Sequence, residues 1–159
     1  MSIAIIYSTR HGSVFKCAKI FKEKVADEIR LFDLNQKKHI SLTDYNIVIL
    51  GASVYFGRIQ REMDRFCQLN NRVLLTKNVG LFLCAGEKSL KRNSYLSLFG
   101  FDLFTAAKIK RVLGHELYYE KLSFLEKIMI KLRTGKDKSY SDLDYKEISL
   151  FVDEINSLK

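Results

Sequence analysis

Short apolar runs separated by amphipathic segments are the feature of this sequence that most constrains its fold. Four runs of strand length are rich in Ile, Val, Leu and Phe, and a weaker run spans residues 28–34. The four runs cover residues 3–7, 45–52, 79–85 and 112–118, and helical patterns cover residues 14–26, 59–70, 94–108 and 142–158. The four runs are apolar throughout, which is typical of strands covered on both faces.

This order of elements predicts a doubly wound α/β fold. Five parallel strands would lie between two helix layers in the order 2-1-3-4-5, with right-handed crossovers. A sheet of this kind binds its ligand at the carboxyl ends of the strands, where the order reverses between the first and third strands. We therefore look for function in the loops that follow the strands.

Length and composition favour one domain. The chain has 159 residues, of which 47% are hydrophobic, and it contains no proline, low-complexity linker or internal repeat, so we expect a single domain over 1–159. No apolar run approaches the roughly twenty residues that span a bilayer, and the N-terminus lacks a signal-peptide pattern, so we expect a cytoplasmic protein. Cys17, Cys67 and Cys84 have no CxxC or histidine at metal-ligand spacing, so we predict reduced, buried thiols and no metal site.

The charge balance favours an anionic partner without identifying it. Twenty-seven Lys and Arg residues against 18 Asp and Glu give a formal net charge of +9. Nucleic acid would suit that charge, but the aromatic residues lie inside strand and helix patterns and not among exposed Lys and Arg, so we predict no nucleic-acid partner. Hydrolytic chemistry has no support either, because His11, His39 and His115 have no carboxylate or nucleophile at motif spacing.

A polar turn ends the first predicted strand and opens the first helix. Residues 7–14 read YSTRHGSV, in which backbone N–H groups and the hydroxyls of Ser8, Thr9 and Ser13 can converge on a phosphate at a helix N-terminus. Gly12 permits a tight turn. The alternative is a turn that needs no ligand, with Ser13 as the N-cap. The turn is neither GxGxxG nor GxxxxGK[ST], so it indicates neither a dinucleotide nor a triphosphate site.

Four stretches resemble a known family. They are YSTRHGSV at 7–14, VILGASVYFGRIQREMDRF at 48–66, KRNSY at 91–95 and FLEKIMIKLRTGKDKSYSDLDYKEISLFVDEI at 124–155. The first is similar to the FMN phosphate loop of flavodoxins, and the chain as a whole resembles the menaquinone-dependent protoporphyrinogen IX dehydrogenases of bacterial haem synthesis. This resemblance implies a flavodoxin-like fold, an FMN cofactor, a porphyrinogen or other flat organic substrate, and a quinone or other electron acceptor.

The resemblance also implies which loops hold FMN. The phosphate would lie in the first loop, and the isoalloxazine ring would lie between the loops after strands three and four. The implied cofactor-binding residues are Ser8, Thr9, Arg10, His11, Gly12, Ser13, Val14, Ala52, Ser53, Val54, Tyr55, Phe56, Gly57, Cys84, Ala85, Gly86 and Glu87. Tyr55 and Phe56 offer the aromatic face that a flavin requires, with ordinary packing at a strand end as the alternative.

One departure from flavodoxins bears on function. Flavodoxins commonly place an aromatic residue in the loop after strand four, whereas this chain has no ring there until Tyr95. We therefore expect one face of the flavin to be open, which suits either a hydride acceptor that meets a flat substrate or weak flavin binding. Candidate partners for substrate propionates are Arg58, Lys88, Lys91 and Arg92. The alternative function is a flavodoxin-type electron carrier, although such carriers are usually acidic.

A basic helical insertion is expected at about 120–141. One side of its helix carries Leu122, Phe124, Leu125, Ile128, Met129 and Leu132. The other side carries Glu126, Lys127, Lys131 and Arg133, with Ile130 as the exception, and Lys136 and Lys138 extend the basic flank. We expect the apolar side to cover the domain's own core and the basic cluster to contact an anionic membrane peripherally; the alternative is that the lysines are merely solvated.

Overall fold

A five-stranded parallel sheet with the order β2-β1-β3-β4-β5 forms the centre of the molecule, as predicted. The computed structural model describes residues 1–37, 39–86 and 92–158, without the side chains of Arg92 and Asn93. The strands of the sheet are β1 (Ile3–Tyr7), β2 (Ile29–Asp33), β3 (Ile47–Ser53), β4 (Asn78–Cys84) and β5 (Ile109–Val112). A separate antiparallel pair consists of β6 (Gly114–Leu117) and β7 (Tyr140–Leu143).

Helices cover both faces of the sheet. They are α1 (Ser13–Lys24), α2 (Arg61–Leu74), α3 (Phe101–Ala106), α4 (Phe124–Thr134) and α5 (Tyr145–Ser157), with 3-10 turns at Arg92–Phe99 and Tyr119–Lys121. Among the described residues, no helix combines the length and the apolar content that crossing a bilayer requires.

The sheet has one hydrophobic core on each face, because successive side chains of a strand point to opposite faces. Ile3 and Ile5 of β1 pack with α1 and α5, while Ala4 and Ile6 pack with α2, α3 and the 3-10 turn between β4 and α3. All four side chains are fully buried, and burial of a large aliphatic side chain stabilises the fold by about 1.5–3 kcal/mol. Burial on both faces explains why β1, β3 and β4 consist of continuous apolar runs in the sequence.

The prediction of a fifth strand at 112–118 is wrong in its position. The strand that joins the sheet is β5, and the apolar run continues past it as β6, which pairs with β7 instead. The chain turns at Gly114, which has a φ of 81°. A Cβ atom there would stand 2.1 Å from the backbone oxygen of Asp142, so only glycine fits.

The predicted helix at 94–108 is also divided. It consists of the 3-10 turn Arg92–Phe99 and then α3, with a bend at Gly100 between them. Both parts still bury apolar side chains against the sheet, including Leu96, Phe99 and Leu103. The helical periodicity therefore correctly predicted that this segment covers the sheet, but it did not predict the bend at Gly100.

Gly51 in β3 is predicted to be essential for close packing of the sheet. A Cβ atom at this position would lie 2.1 Å from the ring of Phe82, which is itself fully buried. Gly51→Ala should lower the free energy of unfolding by roughly 1–3 kcal/mol, measured by urea denaturation. Because the clash is with the ring, Gly51→Ala/Phe82→Leu should lose less than the sum of the single losses. Additive losses would contradict this explanation.

Candidate functional site

The sheet brings three loops together at the carboxyl ends of β1, β3 and β4. Tyr7 pairs with Gly51, and Ser53 pairs with Cys84. Two backbone hydrogen bonds continue these pairings just beyond β1 and β3. The N–H of Ser8 donates to the backbone oxygen of Gly51 (3.0 Å), and the N–H of Val54 donates to the backbone oxygen of Cys84 (3.0 Å). The loops expected to hold a phosphate and a ring are therefore neighbours.

The loop after β1 is a tight turn whose hydroxyl groups have different roles. Gly12, with a φ of 97°, is the N-cap of α1, so the interpretation of Ser13 as N-cap is wrong. Thr9 Oγ1 accepts a hydrogen bond from the N–H of Gly12 (2.9 Å), and Ser13 Oγ donates to the backbone oxygen of Glu116 (3.0 Å). Ser8 is fully buried, and its hydroxyl has no hydrogen-bond partner among the described residues. This hydroxyl and the first N–H groups of α1 are available to an anion.

Glu116 of β6 is a buried carboxylate that sequence reasoning missed. It accepts hydrogen bonds from Lys16 Nζ (2.7 Å), Ser141 Oγ (2.7 Å) and Tyr118 Oη (2.8 Å). Burial alone would raise the pKa of Glu116, but these hydrogen bonds and the charge of Lys16 lower it. Glu116 thereby joins α1 to the β6–β7 pair. No sequence signal could have found this link, since Lys16 and Glu116 are 100 residues apart.

The loop after β3 is a narrow turn that positions two aromatic rings. Tyr55 and Arg58 exchange backbone hydrogen bonds of 2.8 and 3.0 Å. The two residues between them both have positive φ, 50° at Phe56 and 73° at Gly57, as in a type I′ turn. A positive φ is unusual for phenylalanine and marks a constrained position. The turn places the Tyr55 and Phe56 rings edge to face, with centroids 5.7 Å apart.

Gln60 closes this loop and was also missed. Its Oε1 accepts a hydrogen bond from the N–H of Ser53 (3.1 Å), and its Nε2 donates to Ser53 Oγ (2.5 Å). The predicted ligand Ser53 is therefore engaged within the protein. Four other predicted residues are buried beneath the loops and support them: Val14, Ala52, Cys84 and Ala85.

Four rings form a connected group beside these loops. The centroids of His11 and Tyr55 are 5.4 Å apart, those of Tyr55 and His115 are 6.1 Å apart, and those of His115 and Tyr140 are 6.2 Å apart. Gly86 lies against this group, since a Cβ atom there would be 3.1 Å from Tyr140 Oη. His115 and Tyr140 come from β6 and β7, so sequence reasoning about the loops did not include them.

Burial keeps the polar atoms of this group neutral. Burial, followed by the charge of His11, lowers the pKa of His115 to about 4, and burial raises the pKa of Tyr55 to about 12. His11 Nε2, Tyr55 Oη and His115 Nδ1 are buried and have no hydrogen-bond partner within the described part of the chain. A buried polar group without a partner costs about 1–3 kcal/mol, so these atoms are suited to a ligand that supplies partners.

The helix α4 packs in the opposite orientation to the one expected. Its Ile130 is buried against Leu117 and Leu122, and the carboxylate of Glu126 reaches the loop after β1, where it pairs with the guanidinium of Arg10. Of the six residues assigned to the apolar side, Leu122 precedes α4 and is buried, and the five within α4 are exposed: Phe124, Leu125, Ile128, Met129 and Leu132. The expectation that this side covers the domain's own core is therefore wrong.

The remaining predicted residues differ in what can be said of them. Arg58 lines a cavity of about 670 Å³ together with Thr9, Arg10, Tyr55 and Phe56. This volume is typical of small-molecule sites. A larger groove of about 810 Å³, beside α2, is lined by none of the unpartnered atoms described above. Glu87, Lys88 and Lys91 lie outside the described residues, as does the side chain of Arg92, and the open flavin face remains a prediction.

These observations define a doubly wound α/β protein of the flavodoxin-like class, with its candidate site at the switch point between β1 and β3. The family model described as "Flavodoxin domain" matches residues 4–144, and the chain belongs to that family. FMN is the cofactor of the family. The unpartnered hydroxyl at the α1 N-terminus and the neighbouring rings fit the phosphate and the flat ring of FMN.

Solved structures share the fold at low sequence identity. Oxidised Flavodoxin 1 from Bacillus cereus superposes with a TM-score of 0.67 at 14% identity, covering 100% of this chain and 99% of that one. Flavodoxin 2 from the same organism gives 0.66 at 18% identity, covering 99% of each chain. The flavodoxin of Streptococcus pneumoniae TIGR4 gives 0.62 at 14% identity, covering 99% of each. No functionally curated protein matches the sequence significantly.

Ser8 is predicted to contribute to FMN affinity. The protein should bind FMN about one to one and more tightly than FAD, because the loop is sized for a terminal monophosphate. Ser8→Ala should weaken FMN binding roughly tenfold to a hundredfold, the range for a hydrogen bond to a charged group, in a flavin fluorescence titration. Ser157→Ala at the exposed end of α5 is the matched control and should bind like the parent. Equal affinities for all three proteins would contradict the role of Ser8.

Proposed function

We propose that the protein is an FMN-dependent dehydrogenase that takes hydride equivalents from a flat organic substrate and passes electrons to a quinone. Protoporphyrinogen is the substrate that the sequence resemblance suggests. Bound FMN supplies the two-electron chemistry, and the protein supplies binding, orientation and control of protons. Membership of the flavodoxin family supports redox function in general, and the proposal of a dehydrogenase depends on features of this chain.

The observation that carries the proposal is that the segment after β5 builds one wall of the site. The rings of His115 and Tyr140 come from β6 and β7, and neither strand belongs to the five-stranded sheet. An electron carrier needs an accessible cofactor edge. A wall of rings with neutral polar atoms is better suited to holding a flat substrate in one orientation.

Cations at the edge of this wall suit an acidic substrate. Lys136, which follows the end of α4, is exposed, and its Nζ lies 3.5 Å from the centroid of the Tyr140 ring. Arg58 lines the nearby cavity. Such groups can pair with carboxylates such as propionates without leaving the aromatic surface.

His11 is suited to proton transfer in this reaction. Burial lowers its pKa, partly offset by the charge of Glu126, so the imidazole tends to be neutral at physiological pH. Its Nε2 is buried without a hydrogen-bond partner among the described residues, and it can accept a proton from the substrate. Tyr55 and His115 stay uncharged over the same pH range and can hold hydrogen bonds.

The outer side of α4 supports access to a quinone held in a membrane. Phe124 and Leu132 are 76% and 81% exposed, and Lys131 and Lys138 lie on the same exposed segment. An apolar helical face beside lysines is the pattern of a helix that lies on an anionic lipid surface. We therefore include peripheral contact with anionic lipid in the proposal.

The first test separates a dehydrogenase from an electron carrier. FMN-loaded protein should convert protoporphyrinogen to fluorescent protoporphyrin with a menaquinone analogue under anaerobic conditions, faster than the same concentration of free FMN. The expected reason is orientation of the substrate against the cofactor. No excess over free FMN, together with rapid electron exchange with a flavodoxin reductase, would favour the carrier.

The second test concerns lipid. The parent protein should sediment with phosphatidylglycerol vesicles at low salt and less at high salt, because each lysine near the surface contributes about 1 kcal/mol and salt screens the attraction. Phe124→Ser/Leu125→Ser/Leu132→Ser should abolish most sedimentation, and Lys131→Gln/Lys138→Gln should reduce it.

A matched control removes the same number of exposed apolar side chains from another helix. Leu69→Ser/Val73→Ser/Leu75→Ser removes three such side chains from α2 and its C-cap and should sediment like the parent. Equal sedimentation of the parent and the α4 variants would remove the membrane contact from the proposed function.

A further inference from the structure

The carboxylate of Glu126 stands at the loop where an anionic ligand is expected. Its Oε1 pairs with the guanidinium of Arg10 and lies 3.9 Å from His11 Nε2. The Glu126 side chain is only 14% exposed. A residue of α4 thus occupies the cationic side of a loop that follows β1, more than 100 residues earlier in the chain.

The position of this carboxylate is fixed by the start of α4. Glu126 Oε2 accepts a hydrogen bond from the N–H of Ser123 (2.9 Å), and the N–H of Glu126 donates to Ser123 Oγ (3.3 Å). This reciprocal capping box leaves Oε1 directed at Arg10. Burial alone would raise the pKa of Glu126, but the hydrogen bonds from Ser123 and the charge of Arg10 lower it, so the group is an anion at neutral pH.

An FMN phosphate at the N-terminus of α1 would meet this anion. Phosphate and carboxylate favour the same partner, the guanidinium of Arg10, and two anions held together in a partly buried site repel each other. Either anion can pair with Arg10, and both together are disfavoured. The carboxylate of Glu126 therefore competes with the phosphate for Arg10.

Few contacts oppose the departure of α4. Within the described part of the chain, Ile130 is the buried residue of α4, and it packs in a small cluster with Leu117 and Leu122. The other contacts of α4 are polar or involve rings, such as Arg133 over Phe56. A helix with so little buried apolar surface can separate at low cost, whereas the β6–β7 pair is anchored through buried Glu116.

We propose that Glu126 is a built-in anion that closes α4 over the phosphate loop, and that the phosphate of FMN displaces it and releases α4. The ligand class that opens the helix is a phosphate monoester. The inference deepens the proposed function, because it rests on FMN binding at this loop. By linkage, a binding partner that favours the released helix increases FMN affinity, and FMN increases the affinity for that partner by the same factor.

The test compares FMN with riboflavin, which has the same ring and no phosphate. Glu126→Gln keeps the size and the oxygen acceptor of the side chain and removes its charge. It should bind FMN more tightly than the parent, by a factor within the roughly 5-fold to 150-fold range of typical couplings, and should leave riboflavin affinity unchanged. Glu120→Gln makes the same charge change on an exposed residue of the same segment and should match the parent for both ligands.

The outcomes distinguish this inference from the cofactor assignment. FMN binding that is equal in the parent and Glu126→Gln, or an equal gain for riboflavin, would overturn the competition while leaving the cofactor in place. Absence of FMN binding in every protein would overturn both. The dehydrogenase assay reports separately on the reaction.

A second measurement needs no variant. Trypsin should cut the parent protein at Lys127, Lys131 or Arg133 faster when FMN is present than when riboflavin is present, because only FMN releases α4. Cleavage at equal rates, or protection by FMN, would overturn the proposed release.

Discussion

The pairing of β1 with β3 is the constraint on which the rest of the structure depends. Both strands are buried on both faces, so their shared register is fixed by two cores at once. Tyr7 lies opposite Gly51, and the segments that follow β1 and β3 leave the sheet side by side. At this point the N–H of Ser8 donates a hydrogen bond to the backbone oxygen of Gly51. The loop after β1 and the turn at Tyr55 are therefore positioned by the core and need no ligand to bring them together.

The segment after β5 combines a rigid part with a loosely held part. The rigid part is the β6–β7 pair, because Glu116 is buried and receives hydrogen bonds from both α1 and β7. Ser13 in the first turn of α1 also bonds to the backbone of Glu116, so the start of α1 and this pair are joined directly. The loosely held part is α4, whose contacts with the loop after β1, among the described residues, are those of Glu126 with Arg10 and His11. An anion at the loop would therefore act on α4 without disturbing the scaffold beneath it.

The sequence predicts what local periodicity and burial determine, and misses what depends on distant partners. Strands buried on both faces give continuous apolar runs, which explains the success with β1, β3 and β4. The prediction of β5 was wrong in position because the charged Lys110 and Arg111 lie in the middle of this strand, where they bond to groups of the neighbouring helices. The apolar residues just beyond, from Val112 to Leu117, gave the stronger strand pattern. His115 and Tyr140 meet through an antiparallel pairing of two segments 25 residues apart, for which the sequence carries no motif.

The orientation of α4 shows a limit of helical periodicity and also what the helix can do. A helical pattern of apolar residues predicts that the two sides of a helix differ in polarity, but it does not predict which side packs against the core. Here the ion pair between Arg10 and Glu126 draws the polar side inward, although burial of Phe124 or Leu132 would stabilise the fold by about 1.5–3 kcal/mol each. The apolar side is exposed in this arrangement, so a surface can cover it while Glu126 is still paired with Arg10. An anion that takes over Arg10 would remove the main interaction that holds the polar side inward, and α4 could then turn more of its apolar side toward such a surface. The anion and the surface are coupled to the extent that the released helix buries more apolar area than the closed helix, because only a difference between two arrangements shifts their equilibrium.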